Sequence, residues 1–231
     1  AVELFCQQSA PSGGLAPPAL APRMAAQRAC VAVVDPVSTG GTLAAEIAGR
    51  GYAVVAVWSA ELTPEMRTHV PANGRDVQYH AEVEERSTLP ETAEAIRSAC
   101  QGAELLACIV GCESGVTLAD SLSEELGLRT NGTQKNRRNK SVQQQCVKAA
   151  GLRAVREAVG TSWLEVKAFA ENEAMPVVVK PVESAGSEGV KLCHSIEEAE
   201  AHFNLLMSAQ RMIGSVGAAV LVQEYLRGKE Y

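Results

Sequence analysis

Near the end of the chain, Lys180 closes the apolar run Pro176-Val177-Val178-Val179-Lys180-Pro181 and is followed at once by Ser184-Ala185-Gly186-Ser187-Glu188-Gly189. Glycines and serines at that density let backbone N–H groups turn toward a polyphosphate, and a lysine at a strand end adds a cation. This is not a Walker A loop. The terminal Gly-Lys-Ser/Thr is missing, and the segment runs on into Val190-Lys191-Leu192-Cys193, which reads as strand rather than helix. Taken alone, such a stretch is more often only a plain hairpin loop. A second basic group, Asn136-Arg137-Arg138-Asn139-Lys140, opens a helix, where a lysine opposes the helix dipole and a bound anion would offset the misplacement. Arg137 and Arg138 could reach phosphate but read first as solvated side chains. A third stretch, Val222-Gln223-Glu224-Tyr225-Leu226-Arg227-Gly228-Lys229-Glu230-Tyr231, places acids and backbone groups after an apolar strand.

Other chemistries find less support. The seven cysteines, Cys6, Cys30, Cys100, Cys108, Cys112, Cys146 and Cys193, are odd in number and widely scattered, unlike a secreted disulfide framework. They read as reduced thiols of a cytoplasmic or organelle interior. Cys108 and Cys112 have no second Cys/His pair at ligand spacing, so a closed zinc site is not expected. The formal net charge of −6 supplies no cationic field for nucleic acid or anionic lipid. The longest apolar runs, such as Leu105 to Val110, stop well short of the ~20 residues of a membrane span, so a soluble chain is expected.

These residues need elements to position them. Residues 1–27 hold Pro11, Gly13, Gly14, Pro17, Pro18 and Pro22 among alanines and read as an extended arm, with the remnant of an organelle-targeting region as the alternative. From Arg28 the pattern becomes βαβ. A strand over 29–34, a helix from about Thr42 to Arg50 and a strand over 53–58 form a parallel crossover unit, apolar throughout as when helices cover both faces. A short strand over 77–80, a helix over 90–99, a strand over 105–110 and a helix from Gly115 to Leu126, closed by Gly127, complete a doubly wound domain over 28–130. Residues 134–160 read as a helix, a break at Ala150-Gly151-Leu152 and a second helix. Strands over 176–181, 190–193 and 218–226, with a Ser195-x-x-Glu198 capping box opening a helix to about Met212, describe a small α+β unit.

The lysine helix, the strand and loop around Lys180, and the Gln223 to Glu230 segment, in this order, resemble the ATP-grasp superfamily. They look most like its amino-acid ligase branch, which includes bacterial dipeptide synthetases and carnosine synthase. Val33-Val34-Asp35-Pro36, Gly111 to Asp120 and Leu126 to Asn131 extend the resemblance upstream, so that it covers nearly all of Cys30 to Tyr231. It implies an α/β protein: a Rossmann-like parallel-sheet domain over 28–130, connecting helices over 131–161, and an ATP-grasp lid subdomain with hinge over 162–231. Carried over by position, Lys140 and Lys180 would grip phosphate, with Lys180 also near the adenine edge. Gly186 and Ser187 would tip the loop over the phosphates. Glu224, Tyr225 and Leu226 would meet adenine, and Glu230 would take the ribose hydroxyls. A carboxylate suits paired hydroxyl donors, and cations suit a polyphosphate. The residue before the first lysine is usually aspartate and is Asn139 here, which leaves the geometry of that helix start open. Glu113, in a loop after a strand where α/β sheets place ligands, could touch substrate or merely start a helix.

The resemblance further implies ATP-dependent joining of a small-molecule carboxylate to an amine through an acyl phosphate, with Mg²⁺ as cofactor. The metal ligands and the arginine for the acyl phosphate are expected beyond Tyr231, so no metal ligand and no catalytic residue is assigned here. The chain alone is expected to be catalytically incomplete. A structural or assembly module retaining the fold is the alternative. A nicotinamide-dependent oxidoreductase on the first βαβ unit is weaker, since Asp35 to Gly41 lacks Gly-x-Gly-x-x-Gly.

Overall fold

A computed structural model describes residues 29–134, 137–184, 186–208 and 219–229. The arm over 1–27 therefore lies outside the described residues. Strand β1 (Cys30–Val34), helix α1 (Thr39–Gly49), β2 (Ala53–Trp58), β3 (Ala81–Glu84), α2 (Leu89–Ala99), β4 (Leu105–Val110) and α3 (Val116–Glu125) build the first domain. Its strands run parallel in the order β3-β2-β1-β4. Side chains alternate across β1. Cys30, Ala32 and Val34 pack on Ala93 and Ile96 of α2, on Cys100 just after it and on Ala119 and Leu122 of α3, while Val31 and Val33 meet Ala44, Ile47 and Ala48 of α1. Both faces are covered, which is why β1 and β2 are apolar at every position. Ile96 is fully buried between sheet and helix, and truncation to alanine would cost about 2–5 kcal/mol.

Local chemistry sets the helix ends. Thr88 and Glu91 form a reciprocal capping box at α2. After α3, Gly127 takes φ 69°, with Gly127 N–H donating to the Glu124 carbonyl and Leu128 N–H to that of Ser123, a Schellman end that a Cβ would strain.

The second unit comprises α4 (Lys140–Ala149), β5 (Glu157–Gly160), α5 (Trp163–Asn172), β6 (Val177–Pro181), β7 (Lys191–Cys193), α6 (Ile196–Ser208) and β8 (Val220–Glu224). Its sheet is antiparallel, in the order β5-β8-β6-β7. One face, carrying Val177, Val179, Val220 and Val222, packs on Trp163, Val166 and Ala170 of α5 and Phe203 and Leu206 of α6.

Three expectations change. The second helix within 134–160 is instead strand β5: a four-residue segment recruited by pairing with β8 carries too little helical periodicity to resist the sheet. The short strand expected at 77–80 lies at Ala81–Glu84, because Val77 and Tyr79 are drawn onto the first domain's apolar clusters. Helix α5 has no counterpart in the sequence reading, although Trp163, Val166 and Ala170 sit at helical spacing. The helix opened by Ser195 is described to Ser208; Ser195 Oγ accepts from Glu198 N–H (3.2 Å), whereas the Glu198 carboxylate reaches His194 N–H (2.8 Å) rather than Ser195.

Candidate functional site

Because directly opposed residues of antiparallel strands share a face, the register assigns Lys180, Leu221 and Val159, and Val178, Gln223 and Glu157, to the face of the second sheet turned away from α5 and α6. Lys180 Nζ donates to Gln223 Oε1 (2.7 Å), and Gln223 Nε2 donates to Glu157 Oε2 (3.1 Å).

Lys140 arrives from another direction. As the first residue of α4, its backbone N–H donates to the Val182 carbonyl (3.1 Å), and its Nζ donates to the Ser184 carbonyl (2.8 Å) and approaches Ser184 Oγ (3.5 Å). The lysine helix is thereby docked on the segment leaving β6. Asn139 serves as an N-cap, its Oδ1 accepting from Val142 N–H (3.0 Å), so an amide performs here the capping a carboxylate would.

Both ammonium groups are perturbed downward, chiefly by burial. Burial, followed by repulsion from Lys140, lowers the pKa of Lys180, with Glu157 opposing. Burial also lowers the pKa of Lys140, with Glu113 and Glu183 opposing and Arg138 adding to the fall. Two partly desolvated cations held together gain from an anion between them. The loop following them turns at Gly186 (φ 60°) and Ser187 (φ 62°), both exposed, with Val190 N–H closing onto the Ser187 carbonyl (3.1 Å). The left-handed conformation at a serine stores strain at the loop tip.

Glu224 ends β8 with its carboxylate buried against Arg153 (2.9 and 3.0 Å), Arg156 N–H (2.9 Å) and the Arg156 guanidinium (2.8 Å). Its side chain is thus saturated by its own chain. Tyr225 and Leu226 follow with exposed side chains, and Glu230 lies outside the described residues. The structure therefore brings Lys140, Lys180 and the Gly186–Ser187 loop to one side of the second unit and leaves Glu224 to Leu226 at the exit of β8.

Arg138 is not solvated, contrary to the sequence reading. Its side chain is 6% exposed, with Nη1 3.2 and 3.1 Å from the Glu61 carboxylate oxygens and Nε 3.6 Å from Glu113 Oε1, while Nε and Nη2 have no hydrogen-bond partner. Glu61 follows β2 and Glu113 follows β4, so Arg138 is clamped over the carboxyl ends of the first sheet because the α4 approach packs there. Arg137 is also paired, with Asp120 at 2.9 Å. Spacing alone offers no sign of either arrangement. A polar residue inside an apolar strand does mark Gln223.

At the same edge, buried Asp35 (φ 53°) accepts from Ser59 N–H (2.8 Å), Ser59 Oγ (2.6 Å) and Ser114 Oγ, tying together the loops after β1, β2 and β4. The first turn of α1 is covered: a Cβ on Gly41 would lie 2.6 Å from Val70 Cγ1, and one on Gly74 would lie 2.6 Å from the Gly41 carbonyl carbon. The place where a dinucleotide's pyrophosphate would meet that helix is filled by the chain's own residues. Among the described residues there is no group of three or more His, Cys, Asp or Glu that could hold a metal ion, and no helix is long and apolar enough to cross a membrane.

Residues 138–231 match the family described as phosphoribosylglycinamide synthetase, ATP-grasp (A) domain. Dapdiamide A synthase of Enterobacter agglomerans is 32% identical over 142 residues, covering 60% of this chain and 34% of that protein. Phosphoribosylamine–glycine ligase of Halalkalibacterium halodurans is 34% identical over 117 residues, covering 49% of this chain and 27% of that protein. The crystal structure of L-amino acid ligase from Bacillus licheniformis superposes with a TM-score of 0.58 at 16% identity, covering 87% of this chain and 47% of that chain, a likeness of fold. The chain thus spans less than half the length of each. Residues 138–231, with Lys140 opening α4 and Lys180 on β6 of the antiparallel sheet, are thus the part of this chain that matches the ATP-grasp family.

Proposed function

We propose that this chain supplies the ATP-gripping part of an ATP-dependent carboxylate–amine ligase of the amino-acid ligase type. One observation carries the reading: Lys140 from a helix start and Lys180 from a strand lie close enough that the Lys140 charge, after burial, lowers the pKa of Lys180, beside a glycine- and serine-bearing turn. Polyphosphate is the ligand that relieves that repulsion. In this reading Lys140 and Lys180 bind the phosphates, and Gly186 and Ser187 fold over them. Glu224, Tyr225 and Leu226 present backbone and apolar surface to adenine, and Glu230 receives the ribose hydroxyls. The names of similar proteins support the chemistry: a phosphoribosylamine–glycine ligase and an L-amino acid ligase join amines or amino acids, and a third is a dapdiamide A synthase.

The substrate carboxylate would attack the γ-phosphorus of ATP with ADP leaving, and the amine would then attack the acyl carbon with phosphate leaving. Such transfer depends mainly on positioning and charge neutralisation. Bound Mg²⁺ would neutralise phosphate charge, but the described residues offer it no ligand set, so we derive no step through it. The contribution assigned to this chain is to hold the phosphates and exclude water. The full-length protein assayed for ADP release across amino-acid pairs tests the proposal: release dependent on both substrates is expected. ATP binding without substrate-dependent release would instead favour a structural module that retains the fold.

A further inference from the structure

The two lysines of the site are treated unequally by their surroundings. Lys140 has the Ser184 carbonyl and faces Glu113 and Glu183, which follow other elements. Lys180 donates to an uncharged amide, Gln223 Oε1 at 2.7 Å, and the carboxylate that favours its charge, Glu157, lies one residue further across the sheet. The row is continuous. Glu157 on β5 is directly opposite Gln223 on β8, and Gln223 Nε2 donates to Glu157 Oε2 at 3.1 Å. Gln223 is 8% exposed, so water competes poorly for either end of the amide.

Chemistry gives the row a direction. An amide between an ammonium and a carboxylate satisfies both only with its oxygen toward the lysine and its nitrogen toward the carboxylate; the flipped amide would set donor against donor and acceptor against acceptor. Polarisation then runs along the row, from Glu157 through the amide dipole to the ammonium. We propose that Glu157, acting through Gln223, is a positioning residue that holds the Lys180 ammonium extended over the open face of the sheet, ready for phosphate. The proposal rests on the reading that Lys180 grips phosphate. A polyphosphate would capture an ammonium already aimed at it, and Gln223 would be the partner that lets go. The charged groups that bear on Lys180 are Lys140 of α4, which disfavours its charge, and Glu157 of β5, which favours it, alongside burial.

The test is trace acylation of lysine amines with acetic anhydride, read by peptide mass spectrometry from pH 7 to 11 on the chain without nucleotide. Glu157→Gln removes the charge and keeps the shape, and Gln223→Leu cuts the relay. Both variants are expected to move the Lys180 reactivity midpoint down by ~0.5–1 pH unit, the size typical of a nearby charge, with exposed Lys167 unmoved as the internal reference. A Lys180 midpoint that stays within ~0.2 pH unit of wild type in both variants overturns the relay. A shift in Glu157→Gln alone also overturns it, since Glu157 would then act directly through space. A separate Mg·ATP titration of the wild-type chain addresses the underlying reading: if no ATP binds while the midpoints shift as expected, the relay stands and the phosphate role of Lys180 falls.

Discussion

Replacing Arg138 by methionine is expected to stabilise the fold although it removes an ion pair. Arg138 is 6% exposed, yet its Nε and Nη2 have no hydrogen-bond partner, and a buried donor left unpaired costs about 1–3 kcal/mol. Against that stand the pairs with Glu61 and, at 3.6 Å, Glu113, whose side chains are 46% and 35% exposed, so solvent screening limits their joint worth to ~1 kcal/mol or less. Methionine keeps most of the stem's packing and needs no partners, and such replacements of buried pairs are often neutral or stabilising. The expected gain is about 1–2 kcal/mol, or about 0.5–1 M in the urea midpoint for an ordinary slope. Removing the other partner should do the reverse. Glu61→Ala leaves a buried guanidinium without its hydrogen-bonded carboxylate, at about 3 kcal/mol. The protein's two tryptophans allow each unit to be followed separately, since Trp58 lies in β2 and Trp163 in α5. Urea unfolding read by single-tryptophan fluorescence is therefore the assay. A loss of more than ~1 kcal/mol in Arg138→Met, or a neutral Glu61→Ala, would refute the reasoning and mean that water or a closer Glu113 satisfies the free donors.

Three further outcomes can be checked directly. Gly40→Ala places a Cβ 2.4 Å from the Gly111 carbonyl oxygen, backbone against backbone, and should lower stability by ~3 kcal/mol or more in thermal melts, whereas Gly49→Ala, with open space around it, should gain ~0.5–1 kcal/mol. Among the described cysteines, exposed Cys146 should react first with a disulfide reagent and half-buried Cys112 next. Cys100 and Cys108, whose thiols burial pushes up to about 12, should react only on unfolding. Lys140 and Lys180 have folded pKa values below the ordinary 10.5, so the unfolded chain binds more protons between the two values and stability should rise with pH through that window. Tripolyphosphate should restore those protons on binding; calorimetry near pH 9 in buffers of differing ionisation heat would expose the error if it showed proton release.

The candidate phosphate-binding residues were more legible than the surfaces that hold them. Lys180 announced itself by closing an apolar strand before a glycine-bearing turn, and Lys140 by opening a basic helix, because such patterns are local and survive as strings. The parallel character of β1 and β2 was equally open to reading, since a strand buried on both faces has to be apolar at every position. Strand β5 was not, because Glu157 to Gly160 becomes a strand only when β8 offers its edge. The same holds for the partners of the cations. Nothing local to Arg138 foretells Glu61 and Glu113, which approach from two separate strand ends, and nothing local to Lys180 foretells Glu157, which reaches it through an amide on a third strand. Local propensity and hydrophobic period belong to neighbours in sequence, and they determined the elements and the lysines; long-range pairing and desolvation belong to neighbours in space, and only the folded sheet could decide which charges face one another.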